Sequence, residues 1–271
     1  MKSNWIKTYT KWLKRKNFSF ETIKKYSRIL IQYGKEEINT NSITNFIREN
    51  LTKCEPATVR SKRNALSSYS KFLKKYAKIE WWNISKLIPT VQKKFFPTAN
   101  YDDLEKLKNT NTKTDKITNE RNNLIIEFLF YTGLRVSELI NVRHCDYQGG
   151  LLKILGKGNK VRFVLLPEFL IKYFDPCSKS CLFLTRNGKK IDKGQIRKNI
   201  VRKTKQAGIE KVISPHTFRR SLATNLYNLG GKLETIQKQL GHNNIQTTLD
   251  YIHNDHQTLY TDYSKLWIPK K

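Results

Sequence analysis

The spacing of apolar residues changes period at one place in this 271-residue chain. Elsewhere apolar side chains recur every three or four residues, the pattern of amphipathic helices. The exception is "LLKILGKGNKVRFVLL", where two short aliphatic and β-branched runs flank "GKGN", a hairpin signal. "CLFL", which starts at Cys181, is a candidate third strand. A chain patterned this way is confined to a mainly α fold with a small antiparallel β-sheet.

A second feature divides the chain. Pro89 and Pro97 bracket "IPTVQKKFFPTAN", which has no strong period, so a linker is expected over 88–98 between a domain at 1–87 and one at 99–271. The first domain reads as helical throughout. Trp5, Tyr9 and Trp12 share one face, and Ser19 is placed to cap the following helix. A longer helix near 58–76 carries Val59, Ala65, Tyr69 and Leu73 on one side, and Arg60, Lys62, Arg63, Lys71, Lys74 and Lys75 on the other. In the second domain, "ERNNLIIEFLFYTGLRVSELINV" reads as a buried helix, a break at Gly133 and a new helix from Val136. "KGQIRKNIVRKTKQAG" reads as a helix with Ile196 and Ile200 inward and Arg197, Lys198, Arg202 and Lys205 outward.

Lys and Arg total 52 against 22 Asp and Glu, a formal charge of +30. Self-repulsion on that scale opposes compactness unless a polyanion is the usual partner. An AT-rich genome accounts for part of the lysine surplus, but not for acids failing to rise with it. Basic side chains along two helices therefore point to nucleic acid, with Arg60, Lys62, Arg63, Arg197, Lys198, Arg202 and Arg220 as candidate contacts. No stretch approaches the ~20 apolar residues of a membrane span, and the N-terminus lacks the apolar core of a signal peptide. Cys54, Cys145, Cys177 and Cys181 have no zinc-site spacing, so reduced thiols in a cytoplasmic protein are expected.

Five short elements carry the chemistry. "TGLRVSEL" puts Arg135 at a turn into a helix, and "GKGNK" puts Lys157 at a hairpin tip. "HTFR" sets His216 and Arg219 on one face of a helix start. "LGHNN" puts His242 at a turn, and "TTLDY" brings Tyr251 nine residues later. Two arginines offer forked, permanently charged donors that match the oxygens of a phosphodiester. A pentacoordinate transition state carries more negative charge than the ground state, and one fixed donor aimed at it is worth ~3–4 kcal/mol in comparable sites. A tyrosine hydroxyl is a nucleophile when cations favour its phenolate and a histidine takes its proton. A lysine on a mobile tip can protonate a departing sugar oxygen. Arginine supplies the positive charge in such a scheme, so no metal or other cofactor is expected.

The order and spacing of "TGLRVSEL", "GKGNK", "SPHTFRRSLATNL" and "QLGHNNIQTTLDYIH" resemble the tyrosine recombinases of the phage integrase family, in particular the Xer type. The likeness is strong over residues 99–255 and looser over 1–87. It implies a helical core-binding domain of SAM-like fold followed by a catalytic domain with a C-terminal tail. It also implies that Arg135 and Arg219 clamp the scissile phosphate, that Lys157 is the general acid, that His216 assists proton transfer and that His242 supports the phosphate. Tyr251 would be the nucleophile, forming a 3′-phosphotyrosyl bond, and Glu138 an acid that orders the site. Where Xer enzymes carry histidine after the second arginine, this chain has Arg220. The resemblance further implies a clamp of two domains on double-stranded DNA, a dimer on each site and a homotetramer on two, with the apolar tail docking on a neighbour. The implied task is Xer-like resolution or the integration and excision of a mobile element. A type IB topoisomerase with a similar residue set and a catalytically inactive DNA-binding protein are the alternatives.

Overall fold

The computed structural model of the protein describes residues 4–90, 96–112, 114–156, 160–242 and 244–252. Residues 91–95 of the expected linker, Lys157 at the hairpin tip and the tail from 253 onward lie outside the described residues. The chain divides into two compact units, Met1–Lys93 and Lys94–Lys271.

The first unit packs α1 (Asn4–Arg15), α2 (Phe20–Tyr33), α3 (Thr40–Leu51), α4 (Pro56–Phe72) and α5 (Trp81–Lys86). The expected stripe on α1 is centred on Tyr9, which is fully buried with Ile6 and Leu13; Trp5 and Trp12 flank it at the edge of the core. Tyr9 meets the buried Tyr69 ring edge to face at 5.2 Å and donates to Ser68 Oγ at 2.8 Å, so its polar end is satisfied inside an apolar core. Ser19 accepts from Thr22 N and caps α2 as expected. The long basic helix is shorter than its sequence pattern. It stops at Phe72, because Lys74 adopts a left-handed conformation (φ +57°) and the Lys75 amide turns back to Ser70 O.

The second unit begins with α6 (Tyr101–Asn109), α7 (Lys116–Thr132) and the single turn α8 (Val136–Leu139). Its sheet follows: β1 (Tyr147–Gln148), β2 (Leu151–Leu155) and β3 (Val161–Leu165), antiparallel in the order β1-β2-β3, with Leu152 opposite Val164 and Leu155 opposite Val161. The hairpin is where the period change put it. The third strand is not. "CLFL" makes only isolated bridges, Arg143 with Cys181 and Leu184 with Lys190, and Phe183 is drawn into the helical core against Phe128. The third strand is Tyr147–Gln148, folded back by the tight Gly149–Gly150 turn. Leu152, Ile154 and Val164 bury one face of the sheet.

Helices α9 (Glu168–Ile171), α10 (Lys193–Gln206), α11 (Pro215–Asn228), α12 (Leu233–Leu240) and α13 (Ile245–Ile252) complete the unit. Ile196 and Ile200 dock α10 as the period requires, and the same stripe continues into a residue the pattern did not flag. Lys203 is fully buried, and its ammonium donates to Leu107 O (3.1 Å), Thr110 O (2.8 Å) and Asn123 Oδ1 (2.5 Å). Its three N–H groups meet three acceptors, and the two carbonyls are left over at the end of α6. Helix α11 starts on a full capping box, Ser214 with Thr217, and Pro215 in its first turn. Leu222 and Ala223 hold it against Ile236, Leu240 and Ile252. Among the described residues no helix is long and apolar enough to cross a membrane.

Candidate active site

Helix α7 ends at Gly133, whose left-handed backbone (φ +63°) turns the chain sharply into α8. A Cβ there would come within 2.8 Å of Leu222 and Leu240, so this turn sits directly on α11 and α12. Arg135 leaves the turn as the N-cap residue of α8, and Glu138 faces back to it. The Glu138 carboxylate is buried, accepts from the Arg135 amide at 2.8 Å and from Arg135 Nη1 at 2.9 Å.

A third residue completes this cluster. Arg162 on β3 donates through both terminal nitrogens to Glu138, Nη1 to Oε1 at 2.8 Å and Nη2 to Oε2 at 2.9 Å. This bidentate fork ties the sheet to α8. Burial alone would raise the Glu138 pKa, but the hydrogen bonds and charge of Arg162 and the Arg135 amide outweigh it and hold the carboxyl at about 2. Arg162 reaches Glu138 by passing over Gly241, where a Cβ would meet its Nε at 2.7 Å. Arg162 was absent from the sequence candidates. Its signal was its parity on β3: it shares the inward face with Val164, and a cation there needs a partner.

Arg219 is one of the largest fully buried side chains. It donates from Nη1 to Gly133 O at 2.7 Å and from Nη2 to Leu240 O, binding the turn before Arg135 to the end of α12. Burial, and after it the neighbouring Arg135, lower its pKa to about 10, so it keeps its charge at neutral pH. Its Nε has no hydrogen-bond partner among the described residues. A guanidinium has five N–H donors, and two are committed among the described residues.

The α12 helix ends at Gly241 (φ +66°) and presents His242. The imidazole is buried, with Nδ1 2.8 Å from Thr248 Oγ1 on α13 and Nε2 without a partner among the described residues. Burial first, then Arg219, Arg135 and Arg162, push its pKa down to about 3. Its ring meets that of Tyr251 at 5.0 Å and 75°. His216 stands in the first turn of α11 with its edge open to solvent; partial desolvation, followed by Arg219, Arg197, Arg220 and Arg135, lowers its pKa as well. The His242 imidazole is therefore neutral at pH 7, and the surroundings of His216 favour its neutral form.

Arg135, Arg162, His242, Lys160 and Lys238 line a hollow of about 840 Å³. The structure thus brings together Arg135, Glu138, Arg219, His242 and Tyr251, with His216 on the adjoining turn. Lys157 lies outside the described residues. Among the candidate nucleic-acid contacts, Arg197, Lys198 and Arg202 are exposed on α10, and Arg60 is exposed on α4. Lys62 and Arg63 are half-buried: Lys62 donates to Asn50 Oδ1, and Arg63 stacks over Trp81 at 5.2 Å. Arg220 lies over the Phe96 ring at 4.6 Å.

Comparison with known proteins gives this arrangement a family. The phage integrase family matches residues 99–258. Tyrosine recombinase XerC of Staphylococcus aureus (strain JH9) is 32% identical over 284 residues, covering 92% of this chain and 91% of its own. The fold is similar to that of the XerH site-specific recombinase bound to palindromic difH substrate (TM-score 0.75, 24% identity, 92% of this chain and 80% of that one). It is also similar to lambda integrase (residues 75–356) bound as a dimer to a COC′ core site (TM-score 0.74, 16% identity, 93% and 95%). The chain belongs to the phage integrase family, among the Xer-type tyrosine recombinases. It is an enzyme of site-specific DNA recombination that cuts and rejoins DNA strands.

Proposed function

We propose that Tyr251 is the nucleophile and that double-stranded DNA is bound with one backbone phosphate in the hollow beside Arg135. The Tyr251 oxygen attacks phosphorus; the bond to O5′ breaks, leaving a 3′-phosphotyrosyl link and a free 5′-hydroxyl. The new ester conserves the energy of the old one, so a 5′-hydroxyl from a partner duplex reverses the step and exchanges strands. The tyrosine proton goes to His216. The partnerless Nε2 of His242 is a hydrogen-bond partner for a phosphate oxygen, and at a pKa of about 3 that ring is too weak a base for the other task. Arg135 and Arg219 supply positive charge, and Glu138 with Arg162 holds Arg135 in place. Lys157 protonates the departing O5′.

The observation that carries this reading is the contact of the Tyr251 and His242 rings, in a unit where Arg219 Nε and His242 Nε2 are buried without a hydrogen-bond partner among the described residues. Fixed, dehydrated donors are what a phosphoryl-transfer site requires. Arg60, Arg197, Lys198 and Arg202 contact the duplex; Lys62, Arg63 and Arg220 contribute through their remaining donors. The enzyme works as a dimer on each site and a tetramer on two, with the cellular DNA in the cytoplasm, in Xer-like resolution or in moving a mobile element. The test is a nicked duplex of the cognate site. The wild type should form a protein–DNA adduct that survives denaturant and Tyr251→Phe none; an adduct from the Phe variant, or none from the wild type, removes Tyr251 from the reaction.

A further inference from the structure

A second cationic cleft, distinct from the hollow beside Arg135, opens between the start of α7, the turn at 185–187 and the outer face of α10. Its volume is about 430 Å³. Arg121, Arg186, Lys198 and Arg202 line it together with Gln195 and Asn199. Among the described residues no carboxylate lines it, and neither does any aromatic ring.

The cations are held in different ways. Arg121 is half-buried and donates from Nη1 to Leu184 O at 3.0 Å and from Nη2 to Asn122 Oδ1 at 3.2 Å. Its Nε is buried without a partner among the described residues. Arg202 donates to Asn199 Oδ1 at 3.2 Å, and its place four residues after Lys198 sets the two on one face of α10. Arg186 reaches Asp115 at 3.6 Å, a pair so exposed that it holds the guanidinium only weakly. The carboxylates of Asp115 and Asp192 at the rim already accept from the first turns of α7 and α10.

Four cations converging on a cleft without a carboxylate lining call for an anion. The lining decides which one. A free nucleotide base is most often held on an aromatic ring, and among the described residues none lines this cleft. Thr, Asn, Gln, Lys and Arg side chains are those that grip phosphate oxygens and sugars along a strand. We infer that this cleft seats a backbone phosphate of duplex DNA away from the scissile one, with Arg121 and Arg186 joining Lys198 and Arg202 as its ligands. The inference rests on duplex DNA being the partner. It adds two arginines from outside α10 to the contact surface and makes the contact independent of base sequence.

The test uses the full chain and a fluorescein-labelled duplex of arbitrary sequence, with affinity measured across a series of salt concentrations. Arg186→Gln and Lys198→Gln should each weaken binding several-fold. The double variant should lose less than the product of the two, because both side chains serve one phosphate. Its log–log salt slope should fall by about one. Arg186→Lys, which keeps the charge, should retain the wild-type slope. Unchanged affinity in both single variants, or losses that multiply fully, overturns the cleft. A flat salt dependence in the wild type would instead remove duplex DNA as the partner.

Discussion

The rings of His242 and Tyr251 meet edge to face, 5.0 Å between centroids and inclined at 75°. One residue follows the left-handed turn at Gly241 and the other lies on α13, and Thr248 on the same helix holds the imidazole from its far side at 2.8 Å. The arrangement fixes a hydroxyl-bearing ring against a buried neutral imidazole. Arg162 passes over Gly241 directly before this imidazole.

Arg162→Met should destabilise the protein by up to about 3–5 kcal/mol, since among the described residues it leaves the buried Glu138 carboxylate with Arg135 as its one charged partner. Adding Glu138→Gln should recover part of that loss, which a double-mutant cycle on urea midpoints would read. Formation of the covalent adduct should slow on the order of a hundredfold, as Glu138, freed from Arg162, lets Arg135 shift by about 1 Å.

Gly241→Ala should be costly although it adds one methyl group. The left-handed backbone costs about 1–2 kcal/mol for a residue with a Cβ, and that Cβ would press on the Arg162 side chain. A lower melting temperature with duplex binding retained and adduct formation reduced is expected, from calorimetry beside an anisotropy titration. Unaltered melting would show that Arg162 can pass by another path.

Stability should fall with acid in two stages. His242 has a folded pKa of about 3 against an ordinary 6.5, so the unfolded chain binds the extra proton first, and stability declines as pH drops below 6.5. His216, lowered by desolvation and its arginine neighbours, acts in the same direction. Glu138, held at about 2 against 4.5, contributes stability that is complete above 4.5 and lost between 4.5 and 2. His242→Asn should make the melting temperature fall less steeply between pH 6.5 and 4.5, leaving the His216 contribution and the lower stage.

Lys203→Met should cost about 2–4 kcal/mol. The stem keeps its packing, but Leu107 O, Thr110 O and Asn123 Oδ1 lose their shared donor. The change should appear as a lower urea midpoint with an unchanged slope; no change in midpoint would mean that these acceptors find other donors.

The broad architecture was legible because it rests on local rules. Periodicity placed the helices and the hairpin, Ser19 marked a helix start, and the break at Gly133 set Arg135 at the mouth of α8. Two readings differ from the structure, one through a long-range contact and one through a local turn. "CLFL" has strand composition, but Phe183 packs on Phe128 in the helical core and the segment makes isolated bridges instead of a strand. Apolar spacing continues past Phe72, yet Lys74 turns the chain back.

The amino-acid sequence by itself determined which side chains are candidates for the chemistry: the arginines, histidines and tyrosine stand in short motifs whose order is readable without coordinates. Only the tertiary structure decided how they are held. Arg162 meets Glu138 across 24 residues, Arg219 reaches the carbonyl of Gly133 across 86, and Lys203 reaches that of Leu107 across 96. Such pairings leave no periodic trace. They are enforced by desolvation, since a buried charge must find a partner wherever the fold brings one within reach.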